Sequence, residues 1–307
     1  MIMLDTLKAL ADPTRLRLVA ILLRIECTVQ ELTSILQVGQ SKVSWHLKIL
    51  ADAGILSVKR QGTWSYYRVS EGNGFFDAIR DAVVHGLDQL PERNGDLAAV
   101  ARVLEERRQR SQTFFDRHAR EWDTLVRALL PVPVYRRRLL EMVPDGVTVL
   151  EIGVGTGSLL KDLSARSNGV IGVDHSPAML EEARSRLAVD GITGVELRLG
   201  EMTHLPLADA AVQCVVANMV MHHAADPQAV LAEIRRVLVP GGLLLIADLA
   251  RHEREEARER LADQWLGFDE DELTDWLKGT GFPSIDCQLL PGANGENAVL
   301  LVRSCTS

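Results

Sequence analysis

At 307 residues, with 47% hydrophobic and 25% charged side chains, the chain is long enough for two domains that each bury a core, in the ordinary composition of soluble globular proteins. The net charge is −8, and the four cysteines stand far apart with no C-x-x-C spacing, so neither a disulfide framework nor a metal site is expected. No apolar run approaches the roughly 18 residues of a membrane span, and the first ten residues read as an amphipathic helix rather than a signal peptide, so a cytoplasmic protein without membrane contact is expected.

The charge is unevenly divided. Residues 1–73 carry nine Lys and Arg against six Asp and Glu, which leaves −11 for the remainder. Within 42–68, Lys42, Lys48, Lys59, Arg60 and Arg68 face a single acid, Asp52, a local excess of the kind that phosphate contact requires. In chain order, Asp12-Pro13 caps and opens a helix that runs through Arg24. Thr28 and Glu31 form a capping box for a short second helix. After a turn at Gly39, Val43, Leu47 and Leu50 recur at i, i+4, i+7 and face a core. That leaves Gln40, Ser41, Lys42, Ser44, Trp45, His46 and Lys48 as the opposite face, hydrogen-bonders and cations suited to base edges and phosphates in a major groove. Ile55–Lys59 and Ser65–Val69 alternate like two strands, a wing with 60–63 as its basic hairpin tip, where Lys59 and Arg60 meet phosphate. Trp45 has two readings, lying on the groove or packed against this wing.

The segments LADPTRLRLVAIL, QSKVSWHLKILADAGIL and KRQGTWSYYRV, in that order, resemble the ArsR/SmtB family of winged-helix repressors over about residues 3–90. The resemblance implies an α+β winged helix-turn-helix domain. It further implies a homodimer held by the first helix and a helix at about Phe75–Leu90, on a palindromic double-stranded DNA operator. Many members of the family sense metal through paired cysteines. Here only Cys27 stands in that region, a lone thiol, so the input is expected elsewhere.

Pro91–Gly95 breaks the chain, and Asp96 is expected to cap a long polar helix whose plainest role is a spacer. Residues 93–134 thus read as a helical linker between a DNA-binding domain at 1–92 and a ligand domain at 135–307. The stretch FFDRHAREWD within the linker reads either as an ordinary amphipathic helix docked on the next domain or, by its resemblance to a similar segment of methyltransferases, as a lid. Beyond it, Val147–Ile152, Val170–Asp174, Val195–Leu199, Val212–Ala217 and Leu243–Asp248 read as buried strands. Helices are expected between them at about 156–166, 177–189 and 227–238, an α/β doubly wound, Rossmann-like sheet. Ser284–Leu290 and Glu296–Val302 read as a closing hairpin. Glu151-x-Gly153-x-Gly155-x-Gly157 ends the first strand, and Asp174 ends the second, where a carboxylate can hold both hydroxyls of a ribose. The absence of a following Lys excludes a phosphate-cradling P-loop.

EIGVGTG, VDHSPAMLEEAR, GEMTHLPL and VLVPGGLLLIAD, in order, resemble the class I S-adenosylmethionine-dependent methyltransferases over residues 113–303. By that likeness Glu151 faces the amine of S-adenosylmethionine or S-adenosylhomocysteine, and Gly153, Gly155 and Gly157 line its methionine portion. Asp174 holds the ribose, Ser176 and Met179 flank the adenine, Glu201 and Met202 meet its edge, and Asn218 closes the floor. His222 and His223 follow the fourth strand and read either as a general base or as structural residues, with nothing in the sequence to orient either ring. The two-domain layout resembles the S-adenosylhomocysteine-responsive regulators of the methionine cycle. Two functions are consistent with it: a regulator that takes the nucleoside as effector, or a working small-molecule methyltransferase fused to its own regulator.

Overall fold

The computed structural model describes residues 2–70, 72, 74–129, 134–292 and 298–307, which fall into two compact units, Met1–Glu106 and Arg107–Ser307. No described helix is long and apolar enough to cross a membrane.

In the first unit α1 (Ile2–Leu10) is followed by α2 (Pro13–Leu22), whose start is capped by the Asp12 carboxylate accepting from the Arg15 N–H. β1 (Cys27–Thr28) leads into α3 (Val29–Leu36), and the expected capping box is present, with Thr28 and Glu31 bonding each other's backbone N–H. α4 (Gln40–Asp52) turns Val43, Leu47 and Leu50 fully into the core. β2 (Leu56–Gln61) and β3 (Trp64–Val69) pair antiparallel, and β1 adds a third strand beside β3. The hairpin is tighter than expected: Gln61 pairs with Trp64, leaving only Gly62 and Thr63 in the turn. Gly62 takes φ 59, the left-handed geometry that the first position of a II′ turn needs. α5 (Gly74–Leu87) follows the wing, and α1 leaves Met3, Leu4 and Leu7 exposed.

The region read as a linker behaves differently. α6 runs unbroken from Arg93 to His118, so Asp96 is not its cap. Its carboxylate instead grips the Arg17 guanidinium through two bonds of 2.6 and 2.7 Å, and Ala99, Val100 and Val103 join the first unit's core. A solvated spacer was expected because the charged run dominates the pattern; one apolar stripe is enough to bury this helix.

In the second unit the last turns of α6 are followed by α7 (Trp122–Leu129) and α8 (Val134–Met142). Then come β4 (Thr148–Ile152), α9 (Leu160–Ser164), β5 (Gly169–Asp174), α10 (Pro177–Val189), β6 (Val195–Leu199) and β7 (Val212–Asn218). The unit ends with α11 (Pro227–Val237), β8 (Leu238–Leu249), α12 (Glu256–Arg260), α13 (Glu270–Gly279), β9 (Ser284–Leu290) and β10 (Val299–Cys305). The seven strands lie in the order β6-β5-β4-β7-β8-β10-β9, parallel except for β10, which runs antiparallel to both its neighbours. The five expected parallel strands are all present. The helix expected at 156–166 shrinks to Leu160–Ser164 because the glycine turn takes up the preceding residues. The last strand starts three residues later than Glu296, and Glu296 and Asn297 lie outside the described residues. Order reverses between β4, which leads to β5 on one side, and β7 on the other, and this is where an open α/β sheet leaves a ligand crevice.

Candidate functional site

On the first unit, Gln40, Ser41, Lys42, Ser44, Trp45 and Lys48 are all exposed along α4, and Trp45 stands 57% exposed, so it is not packed against the wing. His46 departs from that face. It is 2% exposed, with Nδ1 3.8 Å from the Asp12 carboxylate, because the helical period carries position 46 inward beside Val43 and Leu47. Lys59 is also covered, at 9% exposed, while Arg60 points outward; the strand's alternation puts adjacent residues on opposite faces. Both His46 and Lys59 therefore leave the predicted DNA-contacting set. Cys27 is buried at a strand pair.

On the second unit a cavity of about 380 Å³ opens beside the carboxyl ends of β4 and β7, within the range of ligand pockets, ~300–1,000 Å³. Of the predicted residues it gathers Glu151, Gly153, Gly155, Asn218, His222 and His223. Gly153 takes φ 62, and an added Cβ would meet Val220 at 2.1 Å; Gly155 takes φ 52 with open space where a side chain would be. Backbone thus forms the wall there. Glu151 is buried at the floor, and one of its oxygens has no hydrogen-bond partner among the described residues. Burial pushes its carboxyl up to about 8, opposed by Arg136. Asn218 likewise leaves its side-chain oxygen unpartnered.

Asp174 is reached differently. Its two oxygens accept from the Gly155 N–H at 2.8 Å and the Ser176 N–H at 2.9 Å, which ties the glycine turn to the end of β5. Burial raises its pKa, with His175 and those N–H groups opposing. Ser176 caps α10, its Oγ accepting from the Met179 N–H, and Met179 packs with Phe115 and Ala119. Gly157 fits against Leu160 and Ala183. Glu201 is ion-paired to Arg108, and Met202 beside it is half-buried. Gly157, Asp174, Ser176, Met179, Glu201 and Met202 do not line the cavity; the end of α6 engages several of them. Asp116 accepts from the Ser176 hydroxyl at 2.5 Å, Gln112 donates to the His175 carbonyl at 2.9 Å, and Arg108 holds Glu201.

The cavity also contains residues that no local motif announces. Asp263 lines it, and Asp248 supports it from the end of β8. Asp248 is completely buried and accepts from the Met221 N–H, the Leu249 N–H and, at 2.6 Å, His222 Nδ1. His222 is therefore oriented, which the sequence did not anticipate because Asp248 lies 26 residues away. Burial opposes a charge on this ring, yet Asp248 and Asp263 outweigh it and raise the pKa to about 9. Burial and the neighbouring His222 hold His223 well below the ordinary histidine value. Asp263, raised to about 6 by burial against the pull of His222, has no hydrogen-bond partner for either oxygen among the described residues.

The family model for the methyltransferase domain matches residues 150–246, and that for the bacterial regulatory protein arsR family matches 12–58. The chain is 34% identical over 154 residues to an uncharacterized methyltransferase of Geobacillus sp. (strain WCH70), covering 45% of this chain and 70% of that protein. It is 41% identical over 109 residues to an arsenite methyltransferase of Halobacterium salinarum, covering 34% of this chain and 28% of that protein. The chain spans less than a third of the length of the curated relatives it matches at 41% identity. The crystal structure of a SAM-dependent methyltransferase from Thermotoga maritima superposes with a TM-score of 0.53 at 23% identity, over 64% of this chain and 100% of that one, a likeness of fold.

Proposed function

We propose, for a chain that belongs to the methyltransferase-domain family and carries an ArsR-family DNA-binding domain, that it is a transcriptional regulator with S-adenosylhomocysteine or S-adenosylmethionine as its effector. In this reading Glu151 receives the ligand's amino group, and Gly153, Gly155 and Gly157 line the methionine portion. Asp174 holds the ribose, Ser176, Met179, Glu201 and Met202 take the adenine, and Asn218 closes the floor. An ammonium beside Glu151 removes the penalty of ionising that carboxyl in a buried site. The exposed face of α4 takes a palindromic operator as a homodimer, for which the exposed Met3, Leu4 and Leu7 of α1 supply apolar surface. The regulated genes are those that clear homocysteine and rebuild the methyl donor, and the setting is the cytoplasm.

The observation that carries the regulator reading is the behaviour of α6. Its first turns belong to the first unit's core, and its last turns bond Ser176 and Glu201, both assigned to the adenine, and the His175 carbonyl between Asp174 and Ser176. A ligand that takes those bonds changes what holds the helix, and so has a different affinity for the states that bind and do not bind DNA. The test is calorimetry of the full chain with each nucleoside, followed by operator binding with each present. A regulator binds one of them and changes its operator affinity by about fivefold or more. Indifference to both nucleosides overturns this reading.

A second reading, a methyltransferase for a small molecule, is favoured by the Asp248–His222 pair at the cavity, an oriented imidazole that can take a proton from an acceptor only in its neutral form, which its pKa of about 9 confines to alkaline pH. It predicts consumption of the donor in cell extract with operator affinity unchanged. Arsenite is a poor acceptor in this setting: Cys214 is buried within β7, its thiol pushed up to about 12 by burial, and no cysteine is among the described residues lining the cavity.

A further inference from the structure

Asp263 stands out among the described residues of the second unit because both of its carboxylate oxygens are buried without a hydrogen-bond partner. The residue is 3% exposed and faces the cavity. A buried carboxylate left in this condition is expensive, and it persists where a cation completes it. Two imidazoles stand at the same point: His222 Nε2 lies 3.7 Å and His223 Nδ1 3.8 Å from Asp263 Oδ1. Those separations are too long for hydrogen bonds. They are close to the edge of about 3.3 Å that donors keep around a tetrahedral ion bonded at ~2.0–2.1 Å. One ligand atom from each of the three residues lies within 4.8 Å of the others.

We propose that His222, His223 and Asp263 form a binding site for a divalent first-row transition ion, zinc foremost, with its open coordination position facing the cavity. Two nitrogens and one carboxylate oxygen form the donor set of zinc sites that keep a place for water or a substrate atom. The surroundings have the features of a metal site's outer shell. Asp248 accepts from His222 Nδ1 at 2.6 Å, which fixes the tautomer that leaves Nε2 free to ligate, the carboxylate–histidine–metal arrangement. Asp248 is itself held by the Met221 and Leu249 N–H groups, so the ring has one orientation. The segment carrying Asp263 is pinned to the histidine turn: the Gln264 and Trp265 N–H groups both donate to the His222 carbonyl at 3.0 Å, and Trp265 Nε1 donates to the Ala224 carbonyl at 2.8 Å. His223 Nδ1 also has the Ala262 carbonyl at 3.3 Å, a long contact that it gives up by carrying its hydrogen on Nε2. Of the nearby cations, Arg258 is directed at the Glu255 carboxylate and the Gln264 carbonyl. The site was not legible in the sequence because Asp263 stands 41 positions after His222, outside any local metal motif.

This site is independent of the nucleoside reading, and its test is done without nucleoside. Full-length, tag-free protein is stripped with chelator and titrated with Co2+, followed by electronic absorption, and with Zn2+, followed by calorimetry. The expected result is one equivalent per chain, with intense visible ligand-field bands of a four-coordinate ion that Zn2+ abolishes. Asp263→Asn, which keeps shape and removes charge, and His223→Gln each weaken binding by at least about tenfold, and Asp248→Asn by about 10–100-fold through the outer shell. Wild-type protein that takes up no Co2+, or an Asp263→Asn protein that binds it as wild type does, overturns the site. In the first case a protonated His222 between Asp248 and Asp263 accounts for the cluster. S-adenosylhomocysteine titrated into the metal-stripped protein tests the nucleoside reading separately.

Discussion

The face of α4 and the cavity beside β4 use charge in opposite ways. On α4, Lys42 and Lys48 lie in water, where a cation is inexpensive and acts on a polyanion by attraction at a distance. In the cavity, Glu151, Asp263 and His222 are buried, where an ionised group is tolerated only against a partner, and some of the carboxylate oxygens have no hydrogen-bond partner among the described residues. The exposed face can therefore be read as a surface that any phosphate backbone would meet. The cavity implies a specific occupant, since its groups are incomplete by themselves. In the cavity, burial without a partner points to ligand chemistry because Glu151 and Asp263 line one cavity together.

The comparison is most strongly tested at Glu151. The folded protein holds a proton there up to about pH 8, whereas the unfolded chain loses it in the ordinary carboxylate range. Folding takes up that proton, so stability falls as pH rises between the two values. Glu151→Gln removes this contribution, on the order of 4 kcal/mol, and flattens the profile. Denaturant melts from pH 5 to 8 measure it; parallel profiles for the two proteins would mean that the carboxyl is not buried as described. Asp174→Ala comes next. It takes away the carboxylate proposed to hold the ribose and the tie to the Gly155 N–H, and nucleoside affinity is expected to drop by about 100-fold while operator binding of the unliganded protein is unchanged. Unaltered calorimetric affinity would put the nucleoside elsewhere. The smallest effect belongs to the exposed face. Lys42→Ala is expected to weaken operator binding by about tenfold and reduce the salt slope by about one, uniformly across sequences. His46→Gln, made at a buried position of the same helix, leaves operator affinity within about twofold and instead lowers stability by about 0.5–3 kcal/mol through altered core packing. A larger loss of DNA affinity at His46 than at Lys42 would reverse the assignment of the two faces.

Much of this architecture could be read from local pattern. Val43, Leu47 and Leu50 reported their inward face, Thr28 and Glu31 their capping box, and the five parallel strands their apolar runs. The glycine turn and Asp174 were legible for the same reason, since a tight turn and a strand-end carboxylate are short-range features. What escaped was set by distance along the chain or by side-chain direction. Asp96 read as a helix cap and instead pairs with Arg17, and His46 and Lys59 counted as cations and donors until helical and strand periods turned them inward. His222 had no orienting group until the sheet brought Asp248 beside it.

By itself, the order of amino acids determined the two kinds of domain, the face of α4 that meets solvent apart from His46, and the position of the ligand crevice, because each depends on periodicity or on a turn a few residues long. Only the folded chain decided that α6 is one helix engaged with the nucleoside-assigned residues, and that Asp248, His222, His223 and Asp263 share one buried point. Those outcomes depend on which distant side chains the sheet and its loops bring within a few ångströms, a long-range packing result that local propensity does not encode.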